Sequence, residues 1–281
     1  MTLINGQQSA QISSEDRGLL YGDGLFETIA VRAGSPQLWD RHMQRLSLGC
    51  ARLGIALPDL INLRKEAHAV CHDAEQAVLK IIVTRGSGAR GYRCRDSERP
   101  TRILALQAWP DYPADFTEQG VAVRVCATRL GSNPLLAGLK HLNRLEQVLA
   151  RNEWDDPAVP EGLMLDSAGQ VVEGTMSNVF LVRGGMLQTP DLSQCGVAGI
   201  MRGRILEMAA DMGLTTGIIQ LDLKDIMEAQ EIFLCNSLIG LWPVREVARI
   251  PIPRGPVTQR IAACLNETLN NSIHGIFRDE N

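Results

Sequence analysis

A chain of 281 residues is long enough for two domains with cores of their own. Its formal net charge of −4 gives no electrostatic reason to expect nucleic acid or an anionic membrane as a partner. No apolar run approaches the roughly 20 residues that span a bilayer, and the polar first residues do not resemble a secretory signal. Seven scattered cysteines without a CxxC pair indicate reduced thiols, which favours a cytoplasmic protein without a metal site.

The first half of the chain has the pattern of an α+β domain. Two strand-like stretches, 3–13 and 25–38, precede a helix with apolar residues at helical spacing, for which Asp40 is a plausible N-cap and Gly54 a stop. The amphipathic stretch 59–74 predicts a second helix. The β-rich stretches that follow, 77–88 and 101–110, predict two more strands.

Residues 109–116 contain two prolines and several turn formers, and they are the best candidate for a linker. We therefore predict a smaller N-terminal α+β domain over 1–108 and a larger C-terminal α+β domain over 117–281. In the second domain the pattern predicts, in order, a strand at 120–128, a helix at 141–154, strands over 161–190, a helix at 199–213, a helix and a buried strand over 226–244, and a last helix at 257–271.

Lysine is rare in this chain. It occurs only at Lys65, Lys80, Lys140 and Lys224, whereas arginine fills the other basic positions. Arginine stays protonated in proteins, but a lysine amine in apolar surroundings becomes neutral more easily and can attack a carbonyl or take a proton. Lys140 has small and apolar neighbours, which marks it as the candidate reactive amine, although a surface ion pair is the common role of a lysine.

A lysine that forms a Schiff base with pyridoxal phosphate needs three further groups: a carboxylate at the pyridine nitrogen, a phosphate site and groups that bind the substrate's charges. Glu173 stands in an apolar strand run, and Ile200 and Met201 stand at a helix start whose N–H groups suit a phosphate. Arg45 and Ser237 are further phosphate candidates. Each also has an ordinary structural reading: a solvent-facing strand residue, a simple helix entry, a surface arginine or a local cap.

Seven motifs occur in the order seen in the fold type IV pyridoxal-phosphate enzymes, and the chain resembles that family from about residue 3 to residue 245. The family includes D-amino-acid and branched-chain aminotransferases and 4-amino-4-deoxychorismate lyases. RGSGARGY (85–92) and the stretch around Lys140 look most like the lyases. The motifs are YGDGLFET (21–28), RHMQRL (41–46), RGSGARGY, GLKHLNRLEQ (138–147), VVEGTMSNVF (171–180), GVAGIMR (196–202) and CNSLIGLWPV (235–244).

The resemblance implies a two-domain fold like that of D-amino-acid aminotransferase and a set of residues that bind pyridoxal 5'-phosphate. Family aminotransferases often have threonine where this chain has methionine in the phosphate site, so only a backbone contact is expected there. The implied residues are Lys140 at the cofactor carbonyl, Glu173 at the pyridine nitrogen, and Arg45, the backbone of Ile200 and Met201, and Ser237 at the phosphate.

The resemblance also implies a reaction, the elimination that converts 4-amino-4-deoxychorismate to 4-aminobenzoate and pyruvate. Thr28 lies where the lyases have a threonine facing the substrate, although a strand threonine also commonly packs its methyl group. Arg90 and Tyr92 are candidates to bind a substrate carboxylate, although a loop arginine is more often plain surface.

Two alternatives and one further expectation accompany this reaction. An aminotransferase on the same scaffold shares Lys140 and Glu173. The second alternative is a protein that carries the cofactor without turnover. It is disfavoured, because carriage alone does not need a carboxylate that keeps the pyridine protonated. The family resemblance further implies a homodimer that acts on a small-molecule substrate.

Overall fold

The structure is a computed structural model that describes residues 1–94 and 99–272, with side chains as far as residue 267. The chain divides into two compact units. Of the described residues, the first comprises Met1–Pro110, Leu139–Asn143 and 269–272, and the second comprises Asp111–Gly138 and Arg144–Thr268. The predicted domains, 1–108 and 117–281 with a linker at 109–116, stay a prediction. The two compact units differ from them in one respect, because the segment that contains Lys140 belongs to the first unit.

The first unit contains short and long strands with helices between them. Its elements are β1 (Thr2–Ile4), β2 (Gln7–Gln8), α1 (Arg17–Tyr21), β3 (Gly24–Arg32), β4 (Ser35–Pro36), α2 (Trp39–Leu53), α3 (Leu60–Cys71), β5 (Gln76–Thr84) and β6 (Thr101–Ala108).

The strands of the first unit form one sheet in the order β2-β1-β6-β5-β3-β4. Side chains alternate across each strand, so Leu25, Glu27 and Ile29 of β3 face one side and are buried, whereas Phe26 and Thr28 face the other and are half-buried. The buried side packs against apolar residues of α2 and α3, which form the core with Leu139. Helix α2 ends at Gly54, as predicted, but Leu38 at φ 53° precedes it and Asp40 lies in its first turn.

The second unit has a larger sheet and five helices among its described residues. Its elements are α4 (Asp115–Glu118), β7 (Val121–Leu130), α5 (Leu145–Arg151), β8 (Glu161–Asp166), β9 (Val171–Gly174), β10 (Asn178–Arg183), β11 (Met186–Pro190), α6 (Ile200–Asp211), β12 (Thr216–Ile219), α7 (Leu223–Met227), β13 (Glu231–Asn236), β14 (Gly240–Val247), β15 (Ile250–Pro251) and α8 (Pro256–Ser272).

The strands of the second unit follow the order β12-β11-β10-β13-β14-β7-β8-β9, with β15 paired to β14. Parallel pairs lie beside antiparallel ones, because β7 runs parallel to both β14 and β8 while β8 and β9 form a hairpin. The central strands are almost continuously buried, as in a sheet covered on both faces. The prediction of an α+β fold is confirmed.

Three further observations bear on the composition. All seven cysteines are free thiols. Among the described residues, no helix is both long and apolar enough to cross a bilayer. The same residues contain no group of three or more His, Cys, Asp or Glu side chains arranged to hold a metal ion.

Candidate active site

Lys140 lies on an extended segment that runs beside β3. The Phe26 N–H donates to the Lys140 carbonyl at 2.9 Å, and the Leu142 N–H donates to the Gly24 carbonyl at 3.0 Å. The residue before the lysine, Leu139, is buried in the core of the first unit. The backbone of Lys140 is therefore fixed on both sides, and its half-buried amine lies 4.3 Å from the centroid of the Phe26 ring.

Glu27, the residue after Phe26, faces the opposite side of the strand and is buried under α2. Its carboxylate accepts from Arg45 Nε at 2.8 Å and lies 2.6 Å from His42 Nδ1. Burial raises the pKa of Glu27, but the charge of Arg45 and the hydrogen bonds from His42 and Arg45 outweigh burial and hold that pKa at about 2. Glu27 is therefore a buried carboxylate that stays ionised.

His42 is the neutral partner in this cluster. Burial lowers the pKa of His42. The hydrogen bond and charge of Glu27 raise that pKa, and the positive charges of Arg45 and Lys140 lower it further. Because an ionised carboxylate only accepts, the neutral imidazole must carry its proton on Nδ1 and donate it to Glu27. Arg45 of α2, predicted to bind phosphate, thus neutralises the buried carboxylate of Glu27 on β3, and its phosphate contact stays a prediction.

Arg90 and Tyr92 lie on the loop that follows β5, and both side chains are exposed. Arg17 holds this loop, because its Nη1 donates to the Gly91 carbonyl at 2.8 Å and its Nη2 to the Tyr92 carbonyl at 3.1 Å. Arg17 is itself buried and ion-paired with Asp23. Arg17 thus holds the loop by its main chain, while both predicted substrate-binding side chains are exposed and the Tyr92 ring contacts that of Tyr21, with 5.4 Å between the centroids.

In the second unit, Glu173 lies on β9 and is buried. Its Oε2 accepts from the Val197 N–H at 2.8 Å, which joins this strand to the loop before α6. Arg144 lies close enough for their charges to interact. Burial lowers the pKa of Arg144, and the charges of Glu173 and Glu146 oppose that effect. Glu173 is therefore not a solvent-facing strand residue but a buried carboxylate with a cationic neighbour.

The loop before α6 is held at several points in the second unit. Gly138 exchanges backbone hydrogen bonds with Gly196 and Ala198, at 2.9 and 3.1 Å, and Asn178 Nδ2 donates to the Val197 carbonyl at 2.9 Å. Gly199 precedes the helix without a side-chain cap. A Cβ at Gly199 would meet Asn178 Oδ1 at 1.9 Å, so this approach requires glycine.

Ile200 and Met201 are the first two residues of α6, and the Met201 side chain is buried. Only the backbone of Met201 is therefore presented at the helix start, and its contact with phosphate stays a prediction. Helix N-terminal N–H groups suit an anionic group such as phosphate. Ser237 is half-buried in the turn between β13 and β14, and Asn236 beside it accepts from the Leu238 and Ile239 N–H groups at 2.8 and 2.9 Å.

Glu161 was not singled out in the sequence, yet it organises the loop that follows Glu173. Its fully buried carboxylate accepts from the N–H groups of Gly162, Thr175 and Met176 and from the hydroxyls of Thr175 and Ser177. The only signal for Glu161 in the sequence is a single charged residue at the start of an apolar strand.

Within the first unit the structure places Lys140 and Thr28 near the same side of β3, with Arg45 behind that strand. Within the second unit it joins Glu173 to the loop that leads into Ile200 and Met201. Glu27 and His42 were missed as well. The signal for them was an acidic residue on the buried face of a strand, followed by His42 and Arg45 three residues apart on one face of a helix.

The family model for class IV aminotransferases matches residues 24–247 of this chain. The chain belongs to the class IV aminotransferase family, which confirms the resemblance to the fold type IV enzymes.

Three relatives extend this match. The chain is 36% identical to an aminodeoxychorismate lyase of Vibrio harveyi over 270 residues, 95% of this chain and 100% of the relative. It is 32% identical over 246 residues to a putative branched-chain-amino-acid aminotransferase of Methanocaldococcus jannaschii, 86% of this chain and 84% of the relative. The crystal structure of 4-amino-4-deoxychorismate lyase from Pseudomonas aeruginosa is 49% identical and has a TM-score of 0.93, with 96% of this chain and 100% of that chain covered.

Proposed function

We propose that this protein is a pyridoxal 5'-phosphate-dependent lyase that converts 4-amino-4-deoxychorismate to 4-aminobenzoate and pyruvate. The observation that carries the proposal is the 49% identity to the Pseudomonas aeruginosa lyase across 96% of this chain, at a TM-score of 0.93. The lyase of Vibrio harveyi also supports it, because the chain is 36% identical to that relative and covers 100% of it.

The residues present fit the cofactor by their chemistry. The first unit offers a half-buried lysine amine held against a strand, and the second offers a buried carboxylate joined to a helix start without a side-chain cap. An amine, a carboxylate and helix N–H groups match a carbonyl, a pyridine nitrogen and a phosphate. When bound, pyridoxal phosphate supplies an acceptor for the electrons released as a C–H bond beside the substrate amine breaks.

The chain's own residues then have distinct tasks. Lys140 binds the cofactor and, once the substrate amine has displaced it, removes the proton from the amine-bearing carbon. The Glu173 carboxylate stabilises positive charge on the pyridine nitrogen. Arg45, Ser237 and the N–H groups of Ile200 and Met201 bind the phosphate.

On the substrate side, the C–O bond at the neighbouring carbon breaks, and the enolpyruvyl group leaves and takes up a proton to become pyruvate. The ring becomes aromatic, which makes the elimination strongly downhill. The Thr28 hydroxyl assists the departing oxygen. Arg90 and Tyr92 bind a substrate carboxylate.

The second candidate is an aminotransferase, which the 32% identity to the putative branched-chain enzyme of Methanocaldococcus jannaschii favours. One experiment separates the two: purified protein with its cofactor is given 4-amino-4-deoxychorismate or amino acids, and both products and the absorbance spectrum are followed. Formation of 4-aminobenzoate and pyruvate with the aldehyde form of the cofactor retained supports the lyase. Accumulation of the pyridoxamine form with an amino acid, and no 4-aminobenzoate, supports the aminotransferase instead.

We further propose that the protein is a cytoplasmic homodimer. The seven free thiols support a reducing compartment. Helix α5 leaves Leu145, Val148 and Leu149 exposed at 75%, 50% and 61%, and such an apolar group on a surface suits contact with a second copy. Sedimentation equilibrium tests this proposal, and a monomer across micromolar concentrations would exclude the dimer.

A further inference from the structure

Asp23 stands between the two glycines of the YGDGLFET motif, and both glycines bind the segment that contains Lys140. The Gly24 carbonyl accepts a backbone hydrogen bond from this segment at 3.0 Å, and the Gly22 carbonyl accepts from Asn143 Nδ2 at 3.1 Å. Gly22 has a φ of 65°, and a Cβ there would meet Asn143 Oδ1 at 2.4 Å, so this approach requires glycine. The backbone around Asp23 is therefore fixed against the extended segment beside β3.

The carboxylate of Asp23 is bound by two arginines. Its Oδ2 accepts from Arg17 Nε at 3.0 Å and from Arg85 Nε at 2.8 Å, and its Oδ1 accepts from Arg85 Nη2 at 3.2 Å. The side chains of Asp23, Arg17 and Arg85 are only 15%, 3% and 12% exposed. Burial raises the pKa of Asp23, but the hydrogen bonds and charges of Arg85 and Arg17 outweigh burial and hold that pKa below 3.8. At neutral pH, Asp23 is thus an ionised carboxylate between two guanidinium groups.

The two arginines connect Asp23 to two other parts of the first unit. Arg17 donates to two main-chain carbonyls of the loop after β5, at 2.8 and 3.1 Å. Arg85 donates to the carbonyls of Leu53 and Gly54 at the end of α2, at 2.7 and 2.6 Å. One carboxylate therefore joins the loop with the predicted substrate-binding side chains to α2 and to the strand that begins beside it.

We propose that Asp23 is a positioning residue for the substrate, which acts through Arg17 on the loop that contains Arg90 and Tyr92. The inference rests on the lyase function proposed above, in which Arg90 and Tyr92 bind a substrate carboxylate. The Asp23 carboxylate orients the Arg17 guanidinium, and that guanidinium holds the main chain of the loop. Asp23 thereby sets where the two carboxylate-binding side chains stand relative to the first unit.

Loss of this carboxylate has a specific kinetic consequence. Asp23→Asn keeps the shape of the side chain but removes the negative charge between two guanidinium groups, which then repel each other. The guanidinium of Arg17 is no longer oriented, and its hold on the loop weakens. Because a substrate carboxylate is bound before and during the elimination, a displaced loop should raise KM and leave kcat nearly unchanged.

The test compares Asp23→Asn with Glu66→Gln on cofactor-loaded protein. Glu66 is a matched control, because its largely buried carboxylate on α3 is also bound by an arginine of the same unit, Arg102 of β6. Steady-state kinetics with 4-amino-4-deoxychorismate give KM and kcat. Trypsin, which cleaves after arginine, reports on the loop itself through the rate of cleavage after Arg90, with the fragments identified by mass. Cofactor absorbance and melting temperature show whether each variant is loaded and folded.

Asp23→Asn is expected to raise KM about 10-fold at a nearly unchanged kcat, which is the size of one lost charge-assisted contact. Cleavage after Arg90 should accelerate in the same variant. Glu66→Gln should lose stability but keep the KM and the cleavage rate of wild type. A wild-type KM or a wild-type cleavage rate in Asp23→Asn would overturn the inference. An equal rise of KM in Glu66→Gln would also overturn it, because general destabilisation would then be the cause.

Arg17→Gln provides a second test, because a residue that acts through Arg17 has no further effect once that guanidinium is absent. The double variant of Asp23→Asn and Arg17→Gln should therefore have the KM of Arg17→Gln alone. Effects on KM that multiply in the double variant would show that Asp23 acts by another route, against the proposal. Should Asp23→Asn fail to fold, Asp23→Glu, which keeps the charge and displaces it by one methylene, should show the same rise in KM and in cleavage at reduced size.

Failure of the inference and failure of the proposed function are distinguishable. A wild-type protein that forms no 4-aminobenzoate overturns the proposed function and this inference with it. An active wild type with an unaffected Asp23→Asn variant overturns this inference alone.

Discussion

Each unit of the molecule contains a buried carboxylate that organises its surroundings, and the two carboxylates are stabilised by different kinds of hydrogen-bond donor. Glu27 is bound by side chains, one of which carries a formal charge: Arg45 forms an ion pair with it and His42 donates from Nδ1. Glu161 is bound by uncharged groups, namely three backbone N–H groups and two hydroxyls. Both carboxylates have almost no exposure to solvent.

The difference shows what each carboxylate controls. Glu27 fixes the positions of the His42 and Arg45 side chains on α2, behind the strand that Lys140 contacts. Glu161 fixes the path of a main-chain loop, residues 175–177, that follows Glu173. A substitution at Glu27 therefore leaves a buried charge uncompensated, whereas a substitution at Glu161 leaves only neutral donors unsatisfied, which costs less.

The largest effect on activity is expected at Lys140. Lys140→Ala removes the amine that we propose takes the proton, and such a loss costs on the order of 10²–10⁴-fold in rate. The backbone hydrogen bonds to Phe26 and Gly24 remain, so the melting temperature should stay close to that of wild type. Formation of 4-aminobenzoate and thermal unfolding are measured with Lys65→Ala as control. An active Lys140→Ala enzyme would transfer the role to another amine.

The next effect is expected from Glu27→Gln. Removal of one partner of a buried ion pair typically destabilises a protein by about 3–5 kcal/mol, because Arg45 keeps its charge without a counterion. Denaturant unfolding of Glu27→Gln should show a loss of that size. Glu75→Gln, an exposed glutamate of the same unit, should change stability by less than about 0.5 kcal/mol. Equal stability of the two variants would show that the ion pair is not maintained in solution.

Acid should reproduce part of this loss. The pKa of Glu27 falls from 4.5 to about 2 on folding, so its stabilisation is complete above pH 4.5 and disappears as the pH falls toward 2. At 1.36 kcal/mol per pKa unit, that shift corresponds to about 3 kcal/mol. Burial also holds the pKa of His42 below 6.5, which adds a loss of stability that begins as the pH falls below 6.5. Unfolding free energies from pH 7 to pH 3 should therefore fall more steeply for wild type than for Glu27→Gln.

A smaller effect is expected in the second unit from Glu161→Gln. Glutamine keeps one carbonyl oxygen but turns an NH₂ group toward two donors, most directly the Met176 N–H and the Ser177 hydroxyl, which Oε2 serves. Unsatisfied neutral donors cost about 1–3 kcal/mol. Unfolding measurements on Glu161→Gln and Glu27→Gln rank the two clusters directly, and a larger loss at Glu161 would reverse the comparison.

The smallest effect on the fold is expected from Thr28→Val, because valine keeps the shape and removes only the hydroxyl. If Thr28 assists the departing oxygen, kcat falls while cofactor affinity and stability are unchanged. Exchange of the proton on the amine-bearing carbon into solvent should persist, since the amine that we propose removes it, that of Lys140, is unchanged. Equal losses of exchange and product, or no loss of either, would assign Thr28 to packing alone.

Much of this architecture could be predicted from the sequence because its signals are local. The end of α2 was predicted from Gly54, whose φ of 63° suits glycine. Lys140 was singled out as a candidate by its rarity and its apolar neighbours, and Glu173 by its place in an apolar strand. Helix α6 and the hairpin of β8 and β9 likewise have their signals within a few residues.

What could not be predicted depends on contacts between distant parts of the chain. A helix was expected from residue 141, but α5 is restricted to Leu145–Arg151, because the preceding residues are extended beside β3 through backbone hydrogen bonds. The partnership of Glu27 with His42 and Arg45 likewise requires a strand and a helix to pack together. Spacing along the chain shows that His42 and Arg45 share a helix face, but not which carboxylate they meet.

The attachment of the loop after β5 has a consequence for how this enzyme can change. Arg17 binds the loop through the carbonyls of Gly91 and Tyr92, and every residue type has such a carbonyl. The side chains at Arg90 and Tyr92 can therefore be replaced while this main-chain attachment persists, although replacement of Tyr92 also removes the contact of its ring with that of Tyr21. If these side chains bind the substrate as proposed, new substrate preferences are accessible by mutation here. For protein engineering, positions 90 and 92 are the natural sites of a focused library, and Arg17 is the residue to leave untouched.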